Sequence, residues 1–145
     1  MKLRLDQDGI TEEFFEDTRL LGITASVKNY QFCMLLNRNM GYDFRLNPEI
    51  EIEMRKKGRK YFFSIYQYQE PTSQLVHYLY HNHYEGEYLL PEFKHMDFLW
   101  LMKHDWVDDE KCEWITQVVR QMNGVQLVAE LTHEQIRNKG NMIFE

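Results

Sequence analysis

Seven residues, Met96 to Met102, decide most of what this chain can fold into: the run reads MDFLWLM and is apolar everywhere but at Asp97. Successive side chains of an extended strand point to opposite faces, so Met96, Phe98, Trp100 and Met102 share one side and Leu99 and Leu101 the other. A strand apolar on both sides belongs near the middle of a sheet that is covered on each face by helices, a partner or both. The longest uninterrupted apolar stretch, Phe98 to Met102, is only five residues. A membrane-crossing helix needs roughly 20, so no membrane span is expected.

The surrounding segments fit such a sheet. Residues 1–18 carry acid at Asp6, Asp8, Glu12, Glu13, Glu16 and Asp17 with little apolar periodicity, and read as an acidic arm or a short leading element. Leu20 to Thr24 is short and apolar. Ser26 then offers an N-cap to a helix patterned at Val27, Tyr30, Cys33, Met34 and Leu36 or Asn37, which Gly41 stops. Ile50, Ile52 and Met54 alternate with Glu51, Glu53 and Arg55 as in a half-buried strand, which Lys57-Gly58-Arg59 turns. Tyr61 to Gln69 and Leu75 to Asn82 are rich in aromatic and β-branched residues and are predicted as the next two antiparallel strands. Beyond the apolar run, Asp108, Asp109 and Glu110 favour a helix start, and Cys112, Ile115, Val119 and Met122 recur on one side of that helix. Asn123-Gly124 closes it. Val125, Leu127, Ala129 and Leu131 form a last strand, and Thr132 to Gln135 fits a capping box for a short final helix. The prediction is a single α+β domain over residues 1–145, with a mixed, mainly antiparallel sheet around a central meander, two main helices chiefly on one face and a short C-terminal helix.

Ahead of the apolar run stands Leu89-Leu90-Pro91-Glu92-Phe93-Lys94-His95-Met96-Asp97-Phe98. It resembles the signature of the bacterial IPExxxVDY family, with Leu in place of Ile, Met of Val and Phe of Tyr, and with Pro91, Glu92 and Asp97 in register. The flanks, Leu21-Gly22-Ile23 followed by Tyr30, Cys33, Leu36 and Asn37, are similar to that family too, and the resemblance runs from about Leu20 to Phe144. That family has no assigned activity, so the resemblance implies no substrate, cofactor or partner.

Charge is unevenly spread. Arg55, Lys56, Lys57, Arg59 and Lys60 place five cations in six positions, and the rest of the chain holds 12 basic against 23 acidic residues, a balance of −11. An acidic body repels phosphate backbones, which disfavours RNA unless binding is confined to this tip. The N-terminus meets Asp6 before any apolar stretch develops, so no signal peptide is read and a cytoplasmic location is expected. Cys33 and Cys112 form no disulfide framework or thiolate cage and are placed on the apolar sides of helices as small hydrophobes.

Catalytic patterns are sparse. The seven glycines are nowhere clustered, which removes the phosphate-cradling loops, and Ser26, Ser64 and Ser73 lie in no nucleophile elbow. His77, His81 and His83 fall on one side of a strand and form the only metal candidate, completed by Glu85 or Glu87. Residues two apart on a face stand roughly 6.5–7 Å from each other, so a bulge would be needed to bring all three to one ion. No cofactor is expected. Glu92 and Asp97 are the motif carboxylates; Pro91 fixes φ, and the two acids are assigned to holding backbone amides in the motif loop.

The tyrosines give the functional lead. Tyr66 and Tyr68 share one side of their strand and Tyr78 and Tyr80 one side of the next, so cross-strand pairing would merge them into an aromatic face. Such a face serves an interface or the underside of a helix equally well. The function read from the sequence is a non-enzymatic interaction module that forms a homodimer or docks a protein partner through Tyr66, Tyr68, Tyr78 and Tyr80, with Arg55, Lys57 and Arg59 steering an acidic partner. The alternatives are an RNA-associated factor using the same tyrosines and tip, and a small metal-dependent hydrolase at the histidines.

Overall fold

The computed structural model describes residues 9–144. Residues 1–8 of the expected acidic arm therefore lie outside the described residues, and of its described part residues 9–14 are helical. Phe15, just after these, is buried against the domain.

Ten strands and two full helices follow: β1 (Arg19–Ala25), α1 (Asn29–Met40), β2 (Arg45–Leu46), β3 (Ile52–Lys56), β4 (Arg59–Phe63), β5 (Ile65–Gln69), β6 (Val76–His81), β7 (His83–Tyr84), β8 (Glu87–Tyr88), β9 (Phe98–Lys103), α2 (Asp109–Arg120) and β10 (Val125–Leu131). Six of the strands form one sheet in the order β10-β1-β9-β6-β5-β2, and β3–β4 and β7–β8 are separate hairpins. Every ladder is antiparallel. The fold is α+β, as the sequence predicts.

From Phe98 on, the apolar run sits where its pattern requires; Met96, expected on the side of Phe98, Trp100 and Met102, instead packs on the opposite side with Leu99 and Leu101, because the strand begins only at Phe98. In β9, Phe98, Trp100 and Met102 enter a core under α1 and α2, while Leu99 and Leu101 enter a second core on the other face. All five are at most 1% exposed, so β9 is covered on both sides. The second core is closed by the β3–β4 hairpin and the C-terminal segment, with Ile52, Tyr61, Phe63, Ile136 and Met142 among its buried residues. At Gly22 of β1 a Cβ would stand 2.9 Å from Met96 Sδ, so the missing side chain is what lets the motif methionine lie against the strand.

Several local expectations shift. Ser26 is not the cap of α1; the helix begins at Asn29, and Ser26 stays at the strand end, its N–H donating to Gly124 O at 2.8 Å. The buried side of α1 is Phe32, Cys33 and Leu36, which leaves Tyr30 and Met34 exposed. Gly41 does end it, in the left-handed region at φ 70°. Tyr61 to Gln69 is two strands, because the chain leaves the hairpin at Ser64 to join the main sheet, where Ser64 O accepts from His81 N. α2 starts as expected, with the Asp108 side chain accepting from Lys111 N at 2.8 Å, and buries Cys112, Ile115 and Val119.

Candidate interaction site

The motif loop is built around a residue the sequence reading passed over. Asn82 is fully buried at the end of β6; its amide nitrogen donates to Phe93 O and Met96 O, and its carbonyl accepts from Leu90 N. Its backbone joins as well, with Asn82 N donating to Asp97 O and Leu89 N donating to Asn82 O. A lone Asn ending a strand of β-formers was the available signal, since a buried amide must find partners. Pro91 opens the short 3-10 turn Pro91–Phe93.

The two motif acids hold backbone, over a longer range than a local turn. Glu92 accepts from Arg137 N at 2.7 Å, Asn138 N at 2.8 Å and Asn138 Nδ2 at 2.8 Å, so it ties the loop to the C-terminal segment. Partial burial would raise its pKa, but these donors hold it below the ordinary carboxylate value. Asp97 accepts from Ala25 N at 2.8 Å and donates its own N–H to Ile23 O at 2.7 Å, which continues the β1–β9 pairing past the strand end. A carboxylate that accepts from three donors, as Glu92 does, is a poor general base.

The three histidines do not converge. β6 ends at His81, Asn82 turns inward, and His83 begins a separate hairpin. His77 is fully buried, with Nε2 2.8 Å from Glu70 Oε2 and Nδ1 accepting from Trp100 Nε1 at 2.9 Å. Lys111 Nζ donates to the other Glu70 oxygen at 2.7 Å, so the chain of contacts runs from α2 to the sheet core. His81 stacks on Phe98, and exposed His83 accepts from Gly86 N. Among the described residues no three His, Cys, Asp or Glu side chains group as metal ligands. The geometry does not assemble the site at His77, His81 and His83.

The tyrosines do not share one face. Tyr66 pairs with Leu79 and Tyr68 with His77, on the helix side, whereas Tyr78 pairs with Gln67 and Tyr80 with Ile65, on the other. The cause is register: even positions of β5 stand opposite odd positions of β6, and a slip of one residue would have been needed to bring the two pairs to one side. Tyr78 and Tyr80 are 5% and 0% exposed, and the Tyr80 hydroxyl donates to Met142 O at 2.8 Å. They are core. Tyr66 and Tyr68 are half-buried at the margin of the helix-side core, where Tyr42 stacks on Tyr68 with ring centroids 4.6 Å apart.

Among the described residues, two surfaces offer candidates for binding. At the first, the β3–β4 turn, Lys57 and Gly58 both take positive φ, 52° and 78°, so the strands reverse over two residues. Lys56 pairs with Glu87 and Lys60 with Glu53, but exposed Arg55, Lys57 and Arg59 make no ion pair with a described residue. The second lies on the helical layer, where Val27, Met34, Leu35 and Arg38 with Asn123-Gly124 line a mostly apolar groove of about 370 Å³. On the two helices Tyr30, Met34 and Trp114 are 51%, 55% and 49% exposed. No helix among the described residues is long and apolar enough to cross a membrane.

No family model matches the chain, and a search of the curated proteins finds no match.

Proposed function

We propose that the chain is a non-enzymatic, cytoplasmic protein-interaction module whose β3–β4 hairpin presents Arg55, Lys57 and Arg59 to an acidic segment of a protein partner. The observation that carries this reading is the set of three exposed cations on a tight turn that form no ion pair with a described residue, on a body whose remaining balance is −11. Such an arrangement focuses positive potential at one tip and speeds encounter with an anionic surface. The engagement of His77, Glu92 and Asp97 in structural hydrogen bonds supports a binding role over a catalytic one. The tyrosines enter this reading only through half-buried Tyr66 and Tyr68, since Tyr78 and Tyr80 are enclosed.

Fluorescence anisotropy with a labelled acidic peptide tests the proposal, run beside a single-stranded RNA of equal charge. The peptide should bind wild type and lose most of its affinity on Arg55→Ala, Lys57→Ala and Arg59→Ala combined. Tighter binding of the RNA, with a steep salt slope, would favour the RNA-associated reading instead. No binding of either probe, or binding indifferent to the triple substitution, would remove the tip as a docking site.

A further inference from the structure

The exposed stripes of the two helices complement each other. The solvent side of α1 carries Tyr30, Met34 and Arg38 at i, i+4 and i+8, and Arg38 is the only charged residue in the helix. Charge depletion around exposed Tyr and Met distinguishes interface centres from ordinary surface. The solvent side of α2 carries Glu110, Glu113 and Trp114, so there an indole projects among acids. Neither Glu110 nor Glu113 forms an ion pair with a described residue, while Asp109 is already held by Arg19 at 2.7 Å. The groove lined by Met34 and Leu35 is bordered by Arg38, and exposed Lys28 precedes the helix.

We infer that the occupant of this groove is a second copy of the chain: Trp114 of each protomer inserts against Met34 and Leu35 of the other, and Glu113 meets Arg38. Both helices lie on one face of the sheet, so a two-fold axis through the helical layer makes both contacts at once and closes the assembly at a dimer. Trp is the residue type most enriched at binding hot spots, and an apolar groove is the setting in which it contributes most. The inference does not depend on the hairpin tip, which lies on the opposite side of the sheet.

Sedimentation velocity on the full chain tests it. Wild type should populate a dimer by about 100 μM, and Trp114→Ala should weaken dimerisation by about thirtyfold or more. Arg38→Glu should weaken it by about tenfold, because both symmetric contacts turn repulsive, and combining Arg38→Glu with Glu113→Arg should restore most of the loss. The charge-swap pair keeps the test valid if Trp114→Ala alone disturbs folding, and circular dichroism reports that disturbance. A wild-type monomer up to about 500 μM would overturn the inference. So would a dimer that neither Trp114→Ala nor the charge reversal weakens.

Discussion

The indole N–H of Trp100 donates to His77 Nδ1 at 2.9 Å, in a site where both side chains are 0% exposed. Because an indole can only donate, this bond fixes the neutral tautomer with its proton on Nε2, directed at the Glu70 carboxylate 2.8 Å away. Trp100→Phe removes the donor and leaves a buried imidazole nitrogen without a partner, as well as a small void. A loss of about 2–4 kcal/mol is expected from these two effects. Urea unfolding would show it as a lowered midpoint; an unchanged midpoint would mean that the pair contributes nothing to the fold.

The burial of this imidazole gives the fold a pH dependence. Burial holds the His77 imidazole below its usual pKa, against the opposing pull of Glu70. The folded protein then binds fewer protons here than the unfolded chain, so stability is complete above the unfolded value near 6.5 and declines as pH falls through it toward the lower folded value. His81 and His104, also lowered chiefly by burial, act in the same direction. Tm should therefore drop between pH 7 and pH 5, before most carboxylates titrate, and His77→Gln should flatten that drop while His81 and His104 leave a residual slope. An identical slope in wild type and variant would assign the effect elsewhere.

How far the sequence discloses the structure depends on what each signal encodes. The both-face apolarity of Met96 to Met102 places β9 in the sheet interior because alternation is a property of a single strand. The helix start at the acids Asp108 to Glu110 and the turn at Lys57-Gly58 are likewise local chemistry, and the structure has both. The tyrosine face fails because it depends on pairing register between two strands, which no local pattern sets. The histidine set fails because one buried side chain, Asn82, ends the strand between the second and third imidazoles. On α1 Phe32 takes the buried side in place of Tyr30, and the helix starts two residues later than a Ser26 cap implies.

Core placement of the second tyrosine pair makes a direct prediction. Tyr80→Ala should cost about 3–5 kcal/mol, the range for removing a large buried ring. Tyr80→Phe should cost only about 1 kcal/mol, for the bond to Met142 O. Thermal melts of the two variants separate packing from hydrogen bonding. Full retention of stability in Tyr80→Ala would return this residue to the surface and revive the aromatic interface.

The motif loop can be dissected through its two anchors, Asn82 and Glu92, which act on different segments. Asn82→Leu leaves Phe93 O, Met96 O and Leu90 N without their side-chain partner inside the core, so it should destabilise the whole domain by about 3 kcal/mol or more. Glu92→Gln keeps the shape and one acceptor oxygen but loses the charge that draws in the amides of Arg137 and Asn138; about 1 kcal/mol is expected. Hydrogen exchange distinguishes the two. In Glu92→Gln the faster amides should be confined to the stretch around Arg137 and Asn138, because local opening there leaves β9 and β6 paired. In Asn82→Leu the protection of β9 should fall together with that of the loop, since Asn82 N bonds Asp97 O beside the first residue of that strand. Loss confined to the loop in both variants would show that the motif decorates the sheet instead of helping to hold its centre.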